Sequence, residues 1–216
     1  KMLRDIDASK TVTDEKGTKQ LEEARVAAEN TLRTLAVQYH NEYRKARDEP
    51  VAGLAAEVYE DYLAIFPDTF HAYEMRFFFA ELLFALEKYQ RAGDEYTTIA
   101  VADAKAVEEK KKPGKYFADA LENSVYAYDL VAKKLDETEK RPASDPKQRQ
   151  AIPKPRQQLL DACLRYVKYA PRGDKAVEVT YKAANIYYRY NWFGEATDLF
   201  TRVALDHPRH EVAGYA

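Results

Sequence analysis

Residues 80–96 read AELLFALEKYQRAGDEY, and residues 184–200 read ANIYYRYNWFGEATDLF. Superposed, they set Ala80 on Ala184, Tyr89 on Phe193, Ala92 on Ala196 and Tyr96 on Phe200. Asp94 also falls on Asp198, and extending the same ungapped shift of 104 residues aligns 62–100 with 166–204 and adds Tyr62/Tyr166, Pro67/Pro171, Ala72/Ala176, Glu74/Glu178, Thr97/Thr201 and Ala100/Ala204. Unrelated stretches of this length would share about two or three identities, so the pattern marks an internal duplication. The shared residue types fit helices that touch. A small residue lets two backbones approach, and a facing aromatic fills the groove beside it.

Working outward, apolar residues recur every three or four positions along nearly the whole chain. Leu21, Ala24, Ala28, Leu32, Leu35, Tyr39, Tyr43 and Ala46 predict one long helix over 18–48, which Pro50 is expected to end. Further helices are predicted over 51–65, 71–86, 89–105, 115–137, 156–170, 174–190 and 193–206. In the helix over 115–137, Phe117, Ala120, Leu121, Val125, Tyr128, Ala132 and Leu135 form the apolar stripe. No segment alternates with period two, so the fold class is all-α. Residues 138–156 hold four of the nine prolines and almost nothing apolar, which predicts an exposed loop.

The repeat pattern resembles the tetratricopeptide-repeat (TPR) family. Its unit of about 34 residues carries, in order, a small residue, an aliphatic, an aromatic, Ala, an aromatic and Pro. From Val177 the chain supplies Ala184, Tyr187, Phe193, Ala196, Phe200 and Pro208. From Tyr73 it supplies Ala80, Leu83, Tyr89, Ala92 and Tyr96, then Ala104 in place of Pro. A unit from Ala36 keeps only Ala55, Tyr59 and Pro67, and the hairpin of 115–171 diverges further. The resemblance implies antiparallel hairpins over about 18–67, 70–106, 115–171 and 174–210, stacked as one right-handed solenoid domain over 18–216 behind an N-terminal extension of 1–17. Residues 59–96 are similar, more narrowly, to periplasmic repeat scaffolds of the bacterial cell envelope. That similarity implies a periplasmic or outer-membrane-associated location; the alternative is a cytoplasmic one.

Bulk composition narrows the function classes. Charged residues make up 32% of the chain and the net charge is -2, which gives no general attraction for nucleic acid or anionic lipid. The longest greasy run, FFFAELLFAL, is interrupted by Glu81 and too short to insert in a membrane. The basic tract of 133–156 lacks aromatics and so lacks a stacking platform for single strands. Cys163, the one cysteine, takes the place of Tyr59 in the other copy and reads as a packing residue. His207 and His210 flank Pro208 with no third ligand nearby, while His40 and His71 stand alone and read as solvated or capping. No phosphate loop, nucleophile elbow or metal motif is present in the sequence, so neither cofactor nor metal is expected.

What remains is a binding surface. In the TPR family the inner helix of each hairpin faces a concave groove. The resemblance places Glu74, Phe77, Glu81, Phe84 and Ala85 there in one unit, and Glu178, Tyr181, Asn185, Tyr188 and Arg189 in the other. Aromatics with a polar tip and an arginine are typical contact anchors. The competing expectation is that a neighbouring helix, such as that of 18–48, covers this face. A carboxylate-clamping groove is argued against, because Phe77 and Tyr181 stand where such clamps carry lysine. The expected function is a non-enzymatic scaffold holding a protein or peptide partner; the alternative is a regulatory or assembly region of a larger enzyme or machine.

Overall fold

The computed structural model describes residues 15–136 and 148–216. Among these residues the chain is all-helical and repeat-like, and within each of two units successive helices pack on one another. It divides into two compact units, residues 1–86 and 87–216, a boundary that falls inside the hairpin expected over 70–106. The first unit holds α1 (Glu15–Ala46), α2 (Glu49–Ile65) and α3 (Ala72–Ala85). The second holds α4 (Tyr89–Glu108), α5 (Phe117–Asp136), α6 (Lys154–Tyr169), α7 (Ala176–Arg189) and α8 (Phe193–Asp206), followed by a short 3-10 helix, Glu211–Tyr215. Nearly every predicted helix is present within a few residues. Of the expected N-terminal extension, residues 1–14 lie outside the described residues, and helix has begun by Glu15.

The duplication seen in the sequence is repeated in the backbone. α3 and α7 both span 14 residues and begin 104 positions apart, at Ala72 and Ala176. The helices before them end on Phe66 (φ -125°, ψ 49°) and Ala170 (φ -128°, ψ 53°). In the turns that follow, Ala72 N donates to Thr69 O at 3.0 Å and Ala176 N to Gly173 O at 2.9 Å. The turns after α3 and α7 each pivot on a left-handed residue, Glu87 (φ 56°) and Asn191 (φ 62°), again 104 apart. Asparagine tolerates that region, whereas a glutamate there is strained by about 1 kcal/mol.

Equivalent tyrosines brace the turns that lead into α3 and α7. Tyr62 Oη lies 2.9 Å from Thr69 Oγ1 and donates to Glu29 at 2.8 Å. Tyr166 crosses the other turn so closely that a Cβ on Gly173 would fall 2.5 Å from its hydroxyl. Threonine in one copy and glycine in the other are two solutions to one packing problem: a partner for the phenol, or room for it.

Proline 50 acts differently from the expectation. The chain has already turned at Arg47 (φ 56°), whose N–H donates to Tyr43 O at 2.7 Å. Pro50 instead sits in the first turn of α2, where its missing N–H costs nothing, and Asp48 caps that helix by accepting from Val51 N. Within the first unit, Tyr59 and Tyr62 are fully buried, and Tyr59 stacks on Phe79 with centroids 5.6 Å apart. His40 is neither solvated nor capping: its Nδ1 lies 3.1 Å from Tyr59 Oη. Burial, helped by the nearby Arg44, holds its imidazole down to about 4.

In the second unit the close approach of α4 and α5 is made possible by Gly93. A Cβ there would fall 2.6 Å from a ring carbon of Tyr128. The Tyr128 hydroxyl donates to Asp94 Oδ1 at 2.8 Å, and Gln158 Nε2 from α6 donates to the same carboxylate oxygen at 3.1 Å. Three helices are thereby tied at one point. Of the loop expected over 138–156, residues 138–147 lie outside the described residues. Its later part is not a free loop. Gln150 N donates to Tyr190 O (2.9 Å), Trp192 Nε1 to Gln150 O (2.8 Å) and Asn191 Nδ2 to Gln148 O (2.9 Å), while Arg149 lies over the Trp192 ring and pairs with Glu195. Arg156 is buried in the first turns of α6.

Gly93→Ala should destabilise the protein by about 1–3 kcal/mol, because the Tyr128 ring has to move. Gly53→Ala, in α2 with open space where its Cβ would stand, should stabilise by about 0.5–1 kcal/mol. Urea midpoints of the two variants check this, and shifts of the same sign would contradict it. A second outcome concerns pH. The folded pKa of His40 is depressed, so its contribution is whole above 6.5 and is lost as pH falls towards 4, where the unfolded chain binds a proton the native state refuses. The wild-type urea midpoint should fall more steeply across that window than the midpoint of His40→Gln.

Candidate functional site

A concavity of the second unit lies between α5 and α7. It has a volume of about 400 Å³ and is lined from α5 by Glu122, Val125, Tyr126 and Asp129. From α7 and the residue before it come Lys175, Glu178, Val179, Tyr181, Lys182 and Asn185, and Val212 of the 3-10 helix closes one end. α6 packs against both α5 and α7 and so links the two helices that wall the groove. The geometry follows from helical spacing. Glu122, Tyr126 and Asp129 recur at steps of four and three on one side of α5, next to the core stripe of Leu121, Val125, Tyr128 and Ala132. Glu178, Tyr181, Lys182 and Asn185 do the same on α7, beside the buried Val179, Ala183 and Ile186.

The groove has a mixed lining with a fixed width. Lys182 Nζ reaches across to Asp129 Oδ1 at 2.7 Å, and Lys133 holds the other oxygen of that carboxylate at 3.0 Å. Asp129 is the least exposed of the three side chains, which makes the bridge worth more than an ordinary surface pair. Lys175 Nζ lies 3.5 Å from Glu178 Oε2. Asn185 spends its amide on its own helix, donating to Tyr181 O at 2.9 Å. The Tyr181 ring packs edge-on against Phe200 of α8, centroids 5.5 Å apart, which fixes the orientation of that wall.

The residues expected at a concave face separate into three groups. Glu178, Tyr181 and Asn185 line this groove. Tyr188 and Arg189 do not. The Tyr188 ring turns to α8, 5.5 Å from Phe193 and 6.4 Å from Phe200, and is 51% exposed; Arg189 is half-buried at the end of α7. The shared spacing of 181, 185, 188 and 189 therefore spans two surfaces instead of one. In the first unit Phe77 is only 7% exposed and belongs to the core, whereas Glu74 and Phe84 are half-buried and Glu81 is exposed on α3. These four take no part in the groove. Its α5 wall was missed altogether, because the 115–171 hairpin departs from the repeat pattern. The 122/126/129 spacing beside an apolar stripe was the available signal.

Glu178, Asn185 and Tyr126 are all exposed, so among the described residues no helix of the second unit covers the groove. Cys163 lies within α6, fully buried, and burial pushes its thiol up to about 12. That makes it a packing group with no thiolate to offer. Among the described residues, no cluster of three His, Cys, Asp or Glu could hold a metal ion, and no helix is long and apolar enough to cross a membrane. No protein-family model matches the chain, and no curated protein is similar to it. The repeat reading thus rests on the chain's own two copies.

Proposed function

We propose that this protein is a non-enzymatic scaffold of the tetratricopeptide-repeat type that holds a segment of a partner protein in the α5–α7 groove. The observation that carries the reading is a groove with exposed walls between the first helices of two consecutive hairpins, with valines on its floor and Tyr126 and Tyr181 on its walls. Such a site offers apolar area and ring faces at low entropic cost, the usual ingredients of a protein contact. Its carboxylates serve the walls: Asp129 is held by two lysines and Glu178 by one, which leaves no pair of carboxylates poised for acid–base chemistry. The similarity of residues 59–96 to cell-envelope scaffolds extends the proposal to a periplasmic or outer-membrane-associated complex.

The test compares partner retention by the wild type, by Tyr126→Ala/Tyr181→Ala, and by Tyr188→Ala, whose ring lies off the groove. Partner affinity of the double variant should fall by at least about 2 kcal/mol, roughly thirtyfold. Tyr188→Ala should retain the partner as the wild type does. Equal retention by all three folded proteins, each checked by its melting temperature, would refute the groove as the binding surface.

A further inference from the structure

The charges around the groove are not evenly paired. Three carboxylates line it, Glu122, Asp129 and Glu178, with two ammonium groups, Lys175 and Lys182, and a third, Lys133, reaches Asp129. Asp129 is taken by Lys182 and Lys133, and Glu178 by Lys175. Glu122 takes part in none of the hydrogen bonds or ion pairs among the described residues, although it is half-buried. A half-buried carboxylate without a partner forgoes stabilisation that a cation would supply. One helical turn further along α5, on the same face, Tyr126 presents a ring that is 43% exposed.

A carboxylate and an open aromatic face, four residues apart on a groove wall, form a receptor for one kind of side chain. We propose that the partner segment in this groove carries a lysine or arginine that pairs with Glu122 and lies on the ring of Tyr126. This rests on the groove being the partner-binding site and specifies what the partner must bring. Arginine suits the place better than lysine, since its planar guanidinium can meet the carboxylate edge-on and the ring face-on together. The corner already draws one cation of the chain itself. The Lys175 ammonium is held above its ordinary value, chiefly by Glu178, with Glu122 among the further contributors. Lys175 is not committed to Glu122, being 41% exposed and directed to Glu178, so an incoming guanidinium meets a net negative corner. Apolar residues on either side of that cation would fill the space over Val125, Val179 and Tyr181.

The experiment selects phage-displayed random peptides on three forms of the full chain: wild type, Glu122→Gln, and Asn185→Trp, in which an exposed position is enlarged to fill the groove. Peptides retained by the wild type and lost on Asn185→Trp define groove binders. Among them, arginine or lysine should be enriched at one position, and synthetic copies should bind Glu122→Gln about tenfold more weakly than wild type. Replacing the peptide's arginine by citrulline should cost at least that factor on wild type and clearly less on Glu122→Gln, where only the contact with the Tyr126 ring is left to lose. Groove binders with no cationic preference, or with a preference that Glu122→Gln leaves intact, would overturn this inference while leaving the binding groove standing. If no peptide depends on the groove, both the scaffold reading and the cation preference fall together.

Discussion

The Tyr128 ring rests on the backbone of α4 at Gly93, and its hydroxyl is anchored on Asp94. That contact sets the rotation of α5 about its own axis. With Tyr128 turned to α4, the neighbouring stripe of Glu122, Tyr126 and Asp129 has to face the other way, towards α7. Asp129 then receives Lys182 from across the gap, which holds the two walls at a fixed spacing. A glycine in the middle of a helix is ordinarily a cost of about 1 kcal/mol. Here the absence of a side chain is what seats the aromatic ring.

The same logic of small residue against large ring recurs through the chain. Ala80, Ala92, Ala184 and Ala196 are all essentially inaccessible, and Tyr166 passes over Gly173 with no room for a Cβ. The high tyrosine content follows from this. A phenol fills a wide interhelical gap and carries a hydroxyl that finds a turn or a carboxylate, as Tyr62 does with Thr69 and Glu29. Tyr126 and Tyr188 lack such a gap and remain on the surface, Tyr126 one helical turn from the Glu122 carboxylate.

Helix boundaries and the duplication were legible in the sequence because both rest on local signals: a period of three to four, and recurring Ala and aromatic pairs. The groove was half legible. Glu178, Tyr181 and Asn185 were found because the 174–210 hairpin follows the repeat pattern closely; Glu122, Tyr126 and Asp129 were not, because theirs does not. Spacing alone could not separate Tyr188 from Asn185, since α8 supplies Phe193 and Phe200 as a second surface for the ring. The docking of residues 148–150 was invisible for another reason. It uses backbone groups and the Trp192 N–H, none of which leaves an apolar pattern in the segment itself.

Hydrogen–deuterium exchange of the full chain, alone and saturated with its partner, is the most direct measurement of the central claim. If the partner sits between α5 and α7, protection should rise in peptides covering 117–130 and 175–189, with residues 72–85 of α3 unchanged. Protection confined to α3, or to the outer side of α8, would contradict the account.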